Sequence, residues 1–190
     1  MKWTNTLLSL AFTAKTILAS PIVPNIMDRS RGIEVYKLTV SGLTTYNNSG
    51  NRELNGQVLR MKANKIGVYG GGDNYMTVQV YPASSQKSGC TTLHTYPIGI
   101  VDHAVAVSGQ GPFRDFVDVT MPAGMSASNA ATTDWNSFQM AEDHLKLDVG
   151  GQWVAFPDPD EGWNVKWFDG KSTVNQNFLP INIKYTKVNN

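Results

Sequence analysis

The segment at residues 150–167 constrains the fold most, because it holds three of the chain's five tryptophans. Residues 157–162 have turn composition, and Trp163, Val165 and Trp167 then alternate with two polar residues. This order predicts strand, turn and strand, with the alternating apolar side chains on one face. We expect that face to be core, since each buried indole contributes roughly 2–4 kcal/mol.

Period-two alternation recurs along the chain, and no apolar period of 3.6 residues persists for three helical turns. The alternating segments are residues 76–80, 117–121, 145–149 and 181–185. With turn residues at regular spacing, the pattern predicts an all-β, single-domain antiparallel sandwich or barrel of about nine short strands. A trefoil-like barrel is the alternative, because the glycine-aromatic hairpins at residues 56–69 and 151–167 look alike.

The N-terminus has the layout of a secretory signal peptide. Lys2 precedes an apolar run at residues 7–19, which ends before Ser20 and a proline. We predict a signal peptide at 1–19, an extended tail at 20–32 and a single β domain at 33–190. The protein is therefore expected to be secreted, and the apolar run is too short for a membrane anchor.

The charge balance gives no sign of a nucleic-acid partner. The chain carries 16 basic and 15 acidic residues and has no block of Lys or Arg. Binding to nucleic acid depends largely on basic side chains that neutralise phosphates. We therefore expect neither a nucleic-acid partner nor a membrane partner.

Two polar segments bear on chemistry in an oxidising compartment. Cys90 is the single cysteine, so the domain forms no intrachain disulfide and must be held by packing. Its loop-like setting favours a partly buried free thiol, with intermolecular pairing as the alternative. Asn47 begins the one N-x-S/T sequence, in a polar loop, and is the candidate for N-glycosylation.

The sequence contains no local signal for catalysis or for a metal. His94, His103 and His144 share no ligand spacing, so no metal site and no cofactor are predicted. A glycan hydrolase would need two facing carboxyl groups, and a serine hydrolase would usually show a G-x-S-x-G turn, which is absent. We predict no catalytic residue.

Aromatic side chains are the remaining candidates for a site. Exposed rings could stack on sugars, as they do in carbohydrate-binding β domains. Trp163 and Trp167 are predicted to be core because of their alternation. Trp135 has two polar neighbours, Asp134 and Asn136, and is the candidate for an exposed, ligand-binding ring.

Several motifs, in order, resemble the fungal secreted cell-wall proteins of the PhiA type and related surface or IgE-binding antigens. After a signal peptide that ends near Ala-Ser-Pro, the matching segments are Asn-Gly-Gln-x-Leu at 55–59, Ile-Gly-Val-Tyr-Gly-Gly at 66–71, Leu-x-Leu-x-Val-Gly-Gly-Gln-Trp-Val-Ala-x-Pro at 145–157, and Gly-Trp-Asn-Val-x-Trp at 162–167. The resemblance implies a non-enzymatic wall protein linked to the development of phialides and conidia. It supplies no catalytic residues.

One departure from that family's pattern concerns two cysteines. Members usually carry Cys at the position of Phe156 and a second Cys near residues 177–178. Both are missing from this chain, as expected if they form a bridge whose place the bulky Phe156 now fills.

The leading hypothesis is a secreted, non-enzymatic fungal protein of the cell wall, with a structural or binding role. Its expected partner is a wall polysaccharide or another wall or host protein. The first alternative is a secreted effector or carbohydrate-binding module that acts on a host or wall ligand. The second alternative is a glycan hydrolase.

Overall fold

The computed structural model describes residues 32–42, 54–71, 75–121, 132–158, 162–175 and 177–189. The predicted signal peptide at 1–19, nearly all of the predicted tail at 20–32 and the sequon at Asn47 lie outside these residues. The strands belong to one compact unit, Ile33–Asn190. Within the described ranges, no helix has the length and apolar character needed to cross a bilayer.

Fourteen strands are defined in the described part of the chain. They are β1 Tyr36–Gly42, β2 Arg60–Lys62, β3 Lys65–Tyr69, β4 Met76–Thr77, β5 Gln79–Ser84, β6 Thr91–Tyr96, β7 His103–Ser108, β8 Phe113–Thr120, β9 Thr133–Asp134, β10 Phe138–Ala141, β11 His144–Leu147, β12 Gln152–Asp158, β13 Gly162–Phe168 and β14 Leu179–Lys187.

Nine of these strands close into an antiparallel barrel. The ring runs β1-β5-β6-β7-β8-β3-β13-β12-β14, and β14 returns to β1 through seven residue pairs, from Tyr36 with Lys187 to Gly42 with Ile181. Closure leaves this ring without a free edge, which is how many antiparallel folds satisfy their backbone groups. The all-β prediction is confirmed, and among the sandwich, the barrel and the trefoil-like barrel the closed ring selects the barrel.

The β10–β11 hairpin is inserted between β6 and β14. Phe138 pairs with Thr91 of β6, and Leu145 pairs with Ile183 of β14. Nearer the beginning of β14, its residues 179–181 pair with β12 instead of β11. A fork between β11 and β12 therefore opens along one side of β14.

The barrel interior is filled by side chains from alternate positions of the strands. Val165 and Trp167 of β13 are 1% and 4% exposed, as their alternation predicts. The Trp167 ring meets that of Trp153 edge-on at 5.0 Å, and Trp153 lies 4.8 Å from Phe116. The edge-to-face contact between the two indoles stabilises an aromatic core beyond simple area burial.

Outside this interior, three strand residues and Phe178, which directly precedes β14, form a cluster of four phenylalanines. It consists of Phe113, Phe156, Phe168 and Phe178, with ring centroids 4.9 Å to 5.7 Å apart. Phe156 and Phe178 are 5.7 Å apart. Their contact joins β12 to the segment that precedes β14.

Candidate ligand-binding clefts

Trp135, the predicted exposed ring, is buried. Its side chain is 5% exposed and packs with Ala104 and Ala106 of β7. The polar neighbours are part of a local turn, in which the Asn136 backbone N–H donates to the Asp134 carboxylate at 3.0 Å. The polar groups of this segment therefore stabilise the turn, while the indole packs over small side chains. The expectation of an exposed ring at Trp135 is wrong.

Trp163 instead forms part of a concave surface, which we call the Trp163 cleft. Its volume is about 380 Å³, within the usual size range of small-ligand sites. Its lining includes Gln57, Arg60, Tyr69, Gly71, Gly162 and Trp163.

Trp163 is only half-buried because it lies at the beginning of β13, beside the hairpin turn. It pairs with Pro157 of β12 and Val68 of β3, and its ring packs against the main core. Alternation predicted its face correctly, but not that this end of the strand leaves part of the ring exposed. The preceding Gly162 has φ of +143°, and a Cβ there would lie 2.7 Å from the Val68 carbonyl oxygen. Only glycine allows β13 to approach the Val68 carbonyl group this closely without strain.

A chain of hydrogen bonds fixes the wall beside Trp163. The Tyr69 hydroxyl donates to Asn164 Oδ1 at 2.7 Å, and Asn164 Nδ2 donates to Asp158 Oδ2 at 2.8 Å. Lys62 Nζ lies 3.4 Å from the other oxygen of Asp158. Burial, together with the carboxylates of Asp158 and Asp115, raises the pKa of Tyr69 to about 12. The phenol therefore stays protonated and acts as a rigid donor, not as a base.

Arg60 supplies the charge of the Trp163 cleft. It is the one charged side chain among the described lining residues, and its Nη1 donates to the Tyr75 carbonyl oxygen at 3.2 Å. No carboxylate lines this cleft in the described part of the chain. An indole face, guanidinium N–H groups and glycine backbone suit a polar ligand that stacks on the ring and accepts hydrogen bonds.

A second concave surface, which we call the indole cleft, lies in the fork between β11 and β12. Its volume is about 370 Å³. Its lining includes Lys146, Asp148, Gly151, Gln152, Trp153, Trp167 and Asn182. Asn182 lies between the residues of β14 that pair with β11 and those that pair with β12.

The two indoles of this cleft differ in their hydrogen bonding. Trp153 Nε1 donates to the Leu145 carbonyl oxygen at 2.6 Å. Trp167 Nε1 is buried and has no acceptor among the described residues, an uncommon state for a buried donor. Gly151 has φ of +138°, and a Cβ there would lie 2.8 Å from Trp167 Nε1. Gly151 therefore packs closely against this indole, and no larger residue fits at its position.

The histidines pair with carboxylates or backbone and do not converge. His94 lies 2.8 Å from Asp102, His103 lies 2.7 Å from Asp118, and His144 bonds a backbone carbonyl. Among the described residues, no group of three or more His, Cys, Asp or Glu side chains could hold a metal ion. The two His–Asp pairs instead lie at the base of the loop between β6 and β7.

Cys90 is partly buried and unpaired within the chain. Burial, followed by the nearby Asp148 carboxylate, raises the pKa of its thiol. Because the thiolate is the reactive form, the setting disfavours reactivity.

Three carboxyl groups in the described part of the chain have a lowered pKa. Lys187 lowers the pKa of Glu34, Lys87 lowers that of Asp148, and the backbone N–H groups of residues 171 and 172 lower that of Asp169. A glycosidic general acid needs a raised carboxyl pKa. The shifts at these three groups have the opposite sign.

Comparisons with protein-family models, with curated proteins and with solved structures give no match for this chain.

Proposed function

We propose that the protein is a secreted, non-enzymatic fungal protein of the cell wall, and that it binds a wall polysaccharide through the Trp163 cleft. The observation that carries the proposal is the half-buried Trp163 ring on the wall of a cleft of ligand size. Carbohydrate sites commonly combine an aromatic platform with a few fixed polar groups. Export and wall association rest on the N-terminal pattern and on the family resemblance.

The lining of the clefts favours binding over hydrolysis. Hydrolysis of a glycosidic bond ordinarily needs two carboxyl groups on either side of it. The described lining of the Trp163 cleft has none, and that of the indole cleft has one, Asp148. The Asp148 carboxylate lies 2.8 Å from Lys87 Nζ, which stabilises its charged form. Among the described residues, neither cleft therefore offers the pair of carboxyl groups that the hydrolase alternative needs.

The proposal is tested by depletion of purified protein from solution by insoluble chitin, β-glucan and washed fungal walls. We expect Trp163→Ala to weaken binding to the recognised polymer by about tenfold or more, a loss of about 1.4 kcal/mol, because the variant lacks the ring on which the sugar stacks. The control is Ile100→Ala, which removes an exposed apolar side chain outside both clefts. Equal binding by wild type and Trp163→Ala, or no binding to any of the three, would contradict the proposal.

The effector alternative is favoured by a separate observation, the apolar loop between β6 and β7. Ile98, Ile100 and Val101 are 37%, 107% and 52% exposed. Exposed apolar residues that cluster often mark protein–protein contacts. Wall fractionation separates the two functions, because an effector is expected in culture filtrate, with little released from washed walls. Under that alternative, Ile100→Ala would reduce capture of a host protein and Trp163→Ala would not.

A further inference from the structure

We propose that the Trp163 cleft takes an acidic sugar, whose ring stacks on Trp163 while a carboxylate substituent binds the Arg60 guanidinium. This inference rests on the proposed function, since it assumes that the cleft binds a wall polysaccharide. It adds the chemical class of the sugar and the residue that selects it. Both side chains belong to the lining of the one cleft.

The first argument is the unused hydrogen-bonding capacity of Arg60. A guanidinium group has five N–H donors and no acceptor. Within the described ranges, it makes one hydrogen bond, from Nη1 to the Tyr75 carbonyl oxygen at 3.2 Å. The remaining N–H groups can therefore bind a ligand. A carboxylate accepts two parallel N–H groups of such a fork, which makes the contact stronger and more directional than a hydrogen bond to a neutral oxygen.

The second argument is the charge around Arg60. Among the described residues, Arg60 has no carboxylate partner. Lys62, which also belongs to β2, lies 3.4 Å from Asp158, so these two opposite charges offset each other. Burial raises the pKa of Tyr69, and its phenol therefore adds no negative charge at neutral pH. A half-buried cation in this setting gains more from an anionic ligand than from a neutral one.

The third argument is the access that two glycines leave to the guanidinium. Gly70 and Gly71 follow β3, are exposed and line the cleft. Among the described residues, a Cβ at Gly70 would have no neighbour within 4 Å, and one at Gly71 would meet Arg60 Nη2 alone, at 3.8 Å. These positions are open or in ordinary contact, so a ligand can approach the guanidinium over the glycine backbone.

The strand order brings the ring and the charge to one site. Arg60 pairs with Gly67 of β3, and Trp163 pairs with Val68 of the same strand. The strands β2 and β13 are thus the two neighbours of β3 here, roughly 10 Å apart. A sugar that stacks on Trp163 can direct a carboxylate at the edge of its ring toward Arg60, because both side chains line the same cleft.

The test compares two trisaccharides by isothermal titration calorimetry with the purified protein. One is a β-glucan trisaccharide, and the other is the same trisaccharide with each primary alcohol oxidised to a carboxylate. We expect the wild type to bind the acidic trisaccharide about tenfold more tightly than the neutral one. This preference should become smaller between about 0.05 M and 0.5 M NaCl, because salt screens a partly exposed contact between charges.

Variants test the contact with Arg60. Arg60→Gln removes the charge and should weaken binding of the acidic trisaccharide by about tenfold, with a much smaller effect on the neutral one. Arg60→Lys keeps the charge without the fork and should retain part of the preference. The matched control is Lys65→Gln, which removes an exposed cation of β3 outside both clefts and should keep the full preference.

Two results would overturn the inference. One is equal binding of the two trisaccharides by the wild type, and the other is a preference that Arg60→Gln keeps as fully as Lys65→Gln does. If walls still bind the wild type more tightly than Trp163→Ala, the proposed function survives this failure. If that difference is also absent, both fail.

Discussion

The two ends of the β12–β13 hairpin present tryptophans from the same face of the same strand in different ways. At the turn, Trp163 is half-buried and lines an open cleft. At the other end, Trp167 is 4% exposed and contacts the ring of Trp153. The position of a residue along its strand, as well as the face on which it lies, therefore decides whether a core-facing ring remains available to a ligand.

The largest expected effect is at the buried end. Trp167→Ala should lower the free energy of unfolding by about 3–5 kcal/mol, because it leaves a cavity beside Trp153. Denaturation in urea, followed by far-ultraviolet circular dichroism, measures this loss. A loss no larger than that caused by Trp163→Ala would contradict the claim that Trp167 is packed more completely than Trp163.

Alkaline pH tests the wall beside Trp163 through Tyr69. The pKa of Tyr69 is raised from 10.0 to about 12, so the folded state holds the phenolic proton more tightly than the unfolded state. The corresponding stability is present below about pH 10 and is lost as the pH rises towards 12. Its size is on the order of 2–3 kcal/mol.

The matched control for this pH effect is Tyr69→Phe, which removes the titrating group. Urea unfolding at several pH values between 9 and 12 should show wild type losing more stability than Tyr69→Phe. Parallel losses in the two proteins would show that the Tyr69 phenol does not titrate differently on folding.

Two adjacent glycines in the indole cleft differ in how closely other atoms surround them. At Gly151, a Cβ would lie 2.2 Å from the Phe168 carbonyl oxygen and φ is +138°, whereas at Gly150 nothing lies within 4 Å. Gly151→Ala should therefore cost about 1–3 kcal/mol, and Gly150→Ala less than about 0.5 kcal/mol. Similar melting temperatures for the two variants would contradict the close packing of Gly151 on Trp167.

At the open cleft, loss of the tryptophan ring should cost less stability than at the buried end. Trp163→Ala should lower the free energy of unfolding by about 1–2 kcal/mol, since only part of the ring is packed. The same urea titrations measure it. A loss as large as that of Trp167→Ala would indicate that Trp163 is a core residue and not a ligand platform.

The β class of the fold was predictable because alternation is local and visible in the sequence. Val165 and Trp167 are buried as their period-two pattern indicates. Closure of the barrel was not predictable in the same way, because it depends on β1 pairing with β14 at the far end of the chain. The insertion of β10 and β11 depends on equally distant pairings.

The clefts were harder to predict than the fold. The polar neighbours of Trp135 indicate an exposed ring, but those neighbours form a turn and the ring packs on alanines. The alternation at Trp163 indicates a core residue, because alternation gives the face of a strand and not how far the end of the strand is covered. The fork that forms the indole cleft depends on where β14 changes partners, which no local pattern records.

The most direct test of the central claim is hydroxyl-radical footprinting with soluble chitin and β-glucan oligosaccharides. Trp163 should be protected from oxidation by the recognised oligosaccharide, because the ligand covers its ring. Met121 is partly buried on the outer face of the barrel, where it packs against the group of buried residues that includes Trp135. Its rate of oxidation should be unchanged. Unchanged oxidation of Trp163 in the presence of an oligosaccharide that binds the protein would contradict the claim.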